Sequence, residues 1–243
     1  MSTTMKTVST LVEIHQFGTI NHSKKIWRLA VLFVPLYPMT QEWQNREKWK
    51  ENVILVDADY VDKVLFNLTV NFERMLERHI PKAELALWAD CVALDGGLRP
   101  GDNEIQVVLI HTKQKECFEL FDPSNFAEEL TGKAFKDHIG EFAFDAYPAE
   151  EDLVEYGDFF AQALQLIASQ EEVKRLMVIP NAEDDYIYNK VRETLNHLDD
   201  TDKRIMVYAM QPMPGGKFQQ EILGYSLMAA LRIKPEEIKN KIK

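Results

Sequence analysis

Cysteine is nearly absent from this chain of 243 residues, which contains only Cys91 and Cys117. Two cysteines cannot cross-link a chain of this length into a disulfide framework. They also cannot complete a structural zinc site without other ligands. We therefore expect both to be small packing residues in a reducing compartment, and the sequence predicts a cytoplasmic protein.

Long apolar segments are also missing. The nearest approach is residues 26–39 (IWRLAVLFVPLYPM), where Arg28 places a charge in the run and Pro35 and Pro38 interrupt its end. The run is shorter than the roughly 20 apolar residues that a membrane-spanning helix needs, and no small-x-small cleavage site follows it. The sequence thus predicts neither a transmembrane helix nor a secretory signal, and no membrane partner.

Basic residues are too few to balance the acidic ones. The chain has 28 Lys and Arg against 39 Asp and Glu, which gives a formal net charge of −11. A surface of this sign repels phosphate backbones and argues against nucleic acid as a partner. The hydrophobic share of 46% is ordinary for a soluble globular protein. The oligomeric state is left open, a homo-oligomer included.

Regular patterning is weak in the first part of the chain. Residues 1–38 show no clear cap or turn signals, whereas strong periodicity begins at Asn52. We therefore expect residues 1–50 to be an N-terminal extension that is poorly ordered or not native, with Met39 as an alternative start. Residues 51–243 are predicted to form a single α/β domain.

Short apolar runs alternate with amphipathic segments throughout this domain. The runs predict core strands at 53–56, 104–110, 175–179 and 204–210, and the segments predict helices at 59–80, 83–94, 151–169, 186–198, 218–231 and 235–242. This alternation is typical of a three-layer α/β fold, with a largely parallel central sheet and helices on both faces.

Two further segments predict an antiparallel edge. Residues 116–121 are expected to pair antiparallel with the second core strand across the polar turn 112–115. Residues 141–147 (EFAFDAY) alternate in polarity, which indicates an edge strand.

At the start of the first helix, Asp59 is well placed to be the N-cap.

Carboxylates follow two of the predicted core strands. Asp57 and Asp59 come after the first strand, and Asp184 and Asp185 come after the third. Because the carboxyl ends of parallel strands line the ligand crevice, Asp57 is expected to face Glu183, Asp184 or Asp185. Clustered carboxylates suit a magnesium ion. All four are candidate catalytic residues, and Asp57, Asp184 and Asp185 are the candidate metal ligands.

A glycine-rich loop offers a weaker candidate for cofactor binding. Gly215, Gly216 and Lys217 lie between a predicted strand and a predicted helix, where an anion could bind free backbone amides beside the lysine. A flexible strand-to-helix turn explains the same residues.

The run VILVDADYV resembles the first motif of haloacid-dehalogenase-type phosphatases. That resemblance implies that Asp57 is a nucleophile, Asp59 an acid/base and Thr112 a phosphate ligand. The later Gly-Asp-x-x-x-Asp motif is missing, and IPNAEDD stands in its place. The element order also resembles the PIN/NYN nuclease-like fold, which implies that Asp57 binds a metal together with Asp184 or Asp185.

A broader resemblance covers residues 51–233. ENVILVDADYV, ALDGGLRPGDNEIQVVLIH and EILGYSLMAAL are similar to an uncharacterised family of Bacteroides-type gut bacteria, which implies a bacterial cytoplasmic protein without an assigned activity. The leading hypothesis is a soluble α/β binding or interaction module of unknown ligand and cofactor. The alternative is a magnesium-dependent hydrolase using Asp57, and the sequence does not decide whether the protein is an enzyme.

Overall fold

The computed structural model describes residues 48–149, 152–198 and 202–241, so the expectations for residues 1–47 and for a start at Met39 lie outside the described residues. The strands are β1 (Asn52–Asp57), β2 (Ala83–Glu84), β3 (Asn103–His111), β4 (Phe121–Asp122), β5 (Lys133–Lys136), β6 (Gly140–Pro148), β7 (Arg175–Ile179), β8 (Arg204–Ala209) and β9 (Gln219–Ile222). The helices are α1 (Ala58–Leu76), α2 (Leu85–Asp95), α3 (Tyr156–Ala168), α4 (Asp185–Asn196), α5 (Leu223–Ala230) and α6 (Pro235–Lys241), with one π-helical turn at Phe126–Leu130. Within the described part of the chain, none of these helices combines the length and apolar character that crossing a bilayer requires.

Seven strands form one sheet in the order β5-β6-β3-β1-β7-β8-β9. All neighbouring pairs are parallel except β5 and β6. From β1 the chain first adds β3 and β6 on one side, and it then adds β7, β8 and β9 on the other. This doubly wound order places a topological switch point between β1 and β7. The predicted α/β fold with a largely parallel sheet and an antiparallel edge is confirmed.

Helices cover both faces of the sheet. In β1, Ile54 and Val56 point into a core shared with α1, α2 and α5, whereas Val53 and Leu55 point into a second core shared with α3 and α4. Every residue of β1 is buried. A parallel strand covered on both sides needs a continuous apolar run rather than an alternating one, which explains the sequence VILV.

The prediction of an antiparallel strand at 116–121 is wrong. Only Phe121–Asp122 is extended there, and it pairs in parallel with Ala83–Glu84 in a separate two-stranded sheet. The reason is a tertiary contact, because the Asp62 carboxylate accepts the backbone amides of Glu119 and Leu120. Those donors are therefore committed to a side chain, and β3 is flanked instead by β1 and β6.

The segment 141–147 is a strand, but its predicted edge position is wrong. It lies within β6, which pairs in parallel with β3 on one side and antiparallel with β5 on the other. The edge is formed by β5, a four-residue strand with the sequence KAFK. A strand this short between polar neighbours carries too little pattern to be recognised from the sequence alone.

Several predicted helix starts also differ from the structure. The helix expected at 218–231 is split, because Gln219–Ile222 pairs with β8 and helix α5 begins only at Leu223. The helix expected from residue 151 begins at Tyr156. The N-cap of α1 is Asp57 rather than Asp59, since the Tyr60 amide donates to the Asp57 side chain.

Gly140 begins β6 directly against the first residue of β3. A Cβ atom at this position would lie 2.2 Å from the backbone oxygen of Asn103. Gly140→Ala is therefore expected to lower the free energy of unfolding by about 1–3 kcal/mol in a urea melt, because the two strands must separate. Gly215→Ala is the control, since its Cβ would meet only the Gln220 amide at 3.8 Å. Equal stability of the two variants would contradict this assignment.

Candidate functional site

Asp57 ends β1 at the switch point and is almost completely buried, with 1% of its surface exposed. Its Oδ1 atom accepts the Tyr60 amide at 2.9 Å and the Tyr156 hydroxyl at 3.0 Å. Burial raises the pKa of Asp57 to about 7, although the hydrogen bonds from Tyr60 and Tyr156 act in the opposite direction. The side chain is thus a helix cap enclosed by protein, and it changes charge near neutral pH.

Asp59 lies two residues further on and is bound to the end of β3. Its Oδ2 atom accepts the Thr112 amide at 2.8 Å, and its Oδ1 atom accepts the Thr112 hydroxyl at 2.9 Å. The acid/base and the phosphate ligand that the phosphatase resemblance implies therefore bind each other. This pair joins α1 to β3.

Asp184 and Asp185 lie on the other side of the switch point, at the start of α4. Asp184 is the N-cap of this helix, accepting the amides of Tyr186 and Ile187 at 2.9 and 3.2 Å, and Asp185 is exposed in the first turn. The acidic residue of this loop that reaches across to α1 is Glu183. It forms an exposed ion pair with Lys63 at 3.4 Å.

The described residues bring together one group of three side chains able to hold a metal ion. It consists of Asp90, Asp137 and His138, whose ligating atoms lie within 4.8 Å of one another. Burial raises the pKa of Asp90 to about 7, and the hydrogen bond that its protonated form donates to Asp137, together with the charge of Asp137, adds to this rise. Asp137 and His138 precede β6, so this group lies at the amino-terminal edge of the sheet and does not include Asp57.

Asp62 is a buried carboxylate that the sequence analysis missed. Its side chain is 2% exposed and lies 2.6 Å from the Lys115 ammonium, and it also accepts the amides of Glu119 and Leu120. It fixes the segment after β3 onto α1, beside a cavity of about 320 Å³. A signal was present, since Asp62 lies next to Val61 in the apolar stripe of this helix.

A family model described as a family of unknown function (DUF6621) matches residues 46–238. The chain belongs to DUF6621. The match includes the residues for which the sequence indicated an uncharacterised family, from 51 to 233. No curated protein and no solved structure matches the chain.

In this DUF6621 chain, Gly215, Gly216 and Lys217 do not precede a helix. They come before β9, so the free helical amides expected beside Lys217 are not there. Instead, the Lys217 amide donates to the Asn196 side chain at 2.9 Å, and the Lys217 ammonium lies 3.4 Å from the Leu198 carbonyl oxygen. The loop is held against the end of α4 at the amino-terminal edge of the sheet.

Lys217 nevertheless lines a cavity, together with basic residues that the sequence analysis missed. Arg175 begins β7, and Lys203 and Arg204 lie at the start of β8. The sequence signal was the pair of segments RLMVI and KRIMVYA, in which basic residues come directly before two apolar strands. These cations lie at the amino-terminal ends of the strands, whereas ligands of open α/β sheets are expected at the carboxyl ends.

Proposed function

We propose that this DUF6621 chain is an α/β binding module and not a magnesium-dependent hydrolase that uses Asp57. The observation that carries the proposal is the environment of Asp57. This carboxylate has 1% of its surface exposed and is bound by the Tyr60 amide and the Tyr156 hydroxyl. A nucleophile or metal ligand must be reached by substrate or cation, and a buried helix cap is not.

The neighbouring carboxylates support the same function. Both oxygens of Asp59 are bound to Thr112, and Asp184 accepts two amides of its own helix. Magnesium is usually held by one or two carboxylates together with water and substrate oxygens. Here Asp57, Asp59 and Asp184 each have structural donors instead, which favours binding over hydrolysis.

The cellular setting belongs to the same proposal. The resemblance of residues 51–233 to an uncharacterised family of Bacteroides-type gut bacteria supports a bacterial protein, and the scarcity of cysteine supports a cytoplasmic one. The likeness to PIN/NYN domains remains the basis of the alternative, in which magnesium is the cofactor.

Thermal melts with and without Mg²⁺ or Mn²⁺ test the proposal. A cation at about 100 times its Kd would raise the stability by about 2.7 kcal/mol. We expect no metal-dependent rise that requires Asp57. We also expect no hydrolysis of p-nitrophenyl phosphate or single-stranded RNA in the presence of either metal.

The variants Asp57→Asn and Asp137→Asn identify the source of any effect. A rise in the wild type that disappears in Asp57→Asn would overturn the proposal and favour the hydrolase. A rise that disappears only in Asp137→Asn would place the metal in the group formed by Asp90, Asp137 and His138. That result would leave the account of Asp57 intact.

A further inference from the structure

A cavity of about 460 Å³ opens at the amino-terminal edge of the sheet, where β7, β8 and β9 begin. Its volume lies in the range of about 300–1,000 Å³ that is typical of small-molecule sites. It is separate from the carboxyl edge, where Asp57 and Asp59 lie. A ligand bound in this cavity rests on the proposed binding function and would give that function its site.

The lining of this cavity is strongly basic in a chain of net charge −11. Arg175, Lys203, Arg204 and Lys217 all line it, against one acidic residue, Asp95. Burial and the charge of Glu221 raise the pKa of Asp95. The cavity is therefore a local region of positive potential on an acidic protein.

Backbone carbonyl groups position several of these cations. The Arg175 guanidinium donates to the Gly96 carbonyl oxygen, and the Lys203 ammonium donates to that of Val173 at 2.8 Å. Lys217 lies 3.4 Å from the carbonyl oxygen of Leu198. A carbonyl oxygen orients a cation without cancelling its charge. The Arg175 guanidinium and the Lys217 ammonium are therefore held in place and keep their positive charge.

Arg175 carries the sharpest indication of a missing partner. Its Nε atom is buried, and it has no hydrogen-bond partner among the residues that the structure describes. Burial lowers the pKa of Arg175, and the neighbouring positive charge of Arg204 adds to this effect. Within the described ranges, the side chain of Arg204 has no ion pair. Arg175 and Arg204 are register partners on β7 and β8, so an anion between their guanidinium groups would relieve their repulsion and give the Arg175 side chain an acceptor.

Part of the cavity lining is apolar. Ile205, Met206 and Phe218 contribute to it beside the cations. We propose that this cavity binds a small phosphate monoester, with the phosphate between Arg175 and Arg204 and an apolar body against Phe218. Arginine suits this role because its planar fork of donors matches phosphate oxygens, and an aromatic ring accommodates a flat apolar group.

Calorimetry on the full chain tests this site with three probes that separate its two parts. Phenyl phosphate carries both the charge and the apolar body, inorganic phosphate carries only the charge, and benzyl alcohol carries only the ring. We expect phenyl phosphate to bind more tightly than inorganic phosphate and benzyl alcohol not to bind. The affinity should fall as salt is added, because exposed charges contribute to it.

Variants then locate the binding. Arg204→Gln and Lys217→Gln, both at exposed residues, are each expected to weaken phenyl phosphate binding about 10-fold or more, a loss of about 1.4 kcal/mol. Lys63→Gln removes the same charge at the opposite edge of the sheet and should leave the affinity unchanged. Arg204→Lys should retain part of the affinity, because it keeps the charge and loses the fork.

Two results would overturn the proposed phosphate site. One is no binding of phenyl phosphate by the wild type at concentrations up to about 10 mM, which corresponds to a very weak Kd. The other is binding that Arg204→Gln, Lys217→Gln and Lys63→Gln affect equally. Neither result bears on the metal melts of Asp57, so the site can fail while the proposed binding function stands.

Discussion

Asp57→Asn is expected to make the protein more stable than the wild type at pH 8, by up to about 4 kcal/mol. The Asp57 carboxyl is buried, and this burial raises its pKa from 3.8 in the unfolded chain to about 7 in the folded one. Between these two values the folded state binds more protons than the unfolded state, so stability falls as the pH rises through this window. Asparagine has no charge to lose, and it still caps a helix.

Urea melts of the wild type and Asp57→Asn between pH 4 and pH 8 measure this difference. At pH 4 the two proteins are expected to be similar, since the protonated acid and the amide are both neutral and nearly the same size. By pH 8 the wild type should have lost stability that the variant keeps. Asp184→Asn makes the same substitution at the exposed N-cap of α4 and should follow the wild type.

A stability difference between the wild type and Asp57→Asn that stays constant across the pH range would show that Asp57 ionises without cost. Solvent or a cation would then have to reach the carboxylate, and Asp57 would not be a buried N-cap. The comparison depends on the difference between two proteins. Other groups that titrate in this range, such as Asp90, contribute equally to both and cancel.

Asp62→Ala is expected to lower the free energy of unfolding by about 3–5 kcal/mol. The substitution removes the partner of the Lys115 ammonium, whose side chain is only 19% exposed, and it removes the acceptor of the Glu119 and Leu120 amides. Each polar group left without a partner in the interior lowers the stability, because it cannot form a hydrogen bond with water there. Urea melts at pH 7 measure the loss.

A double-mutant cycle separates the ion pair from the amide bonds. Lys115→Met should cost less than Asp62→Ala, since the two amides keep their acceptor. The double variant should be more stable than the sum of the single losses implies, because no unpaired ammonium remains. Glu183→Ala, which breaks the exposed pair with Lys63, should change stability by less than about 1 kcal/mol. A similarly small loss in Asp62→Ala would refute its structural role.

The basic cavity and the carboxyl edge have opposite electrostatic characters. At the carboxyl edge, Asp57 and Asp59 are each satisfied by donors from the fold. At the amino-terminal edge, Arg175 has a buried donor without a partner in the described residues. Other buried polar atoms of the described residues also have no partner, but among those residues Arg175 is the one that lines this cavity.

The sequence alone determined the strands and helices whose patterns are long. The core strands of β1, β3, β7 and β8 follow directly from short apolar runs, and the alternation of these runs with amphipathic segments determines the α/β class. Two buried faces need apolar residues at every position, so these strands stand out. Short strands do not, and β5 and β9 were therefore missed, each with only four residues.

Only the tertiary structure decided what the polar residues do. Asp57 and Asp59 stand at predictable places at and just after the end of β1, but their partners Tyr156 and Thr112 come from segments far away along the chain. Arg175, Arg204 and Lys217 likewise meet because β7, β8 and β9 are neighbours in the sheet. Hydrophobic periodicity is a local property, and the sequence displays it. Burial, pairing and charge compensation depend on which distant segments meet, and folding alone determines that.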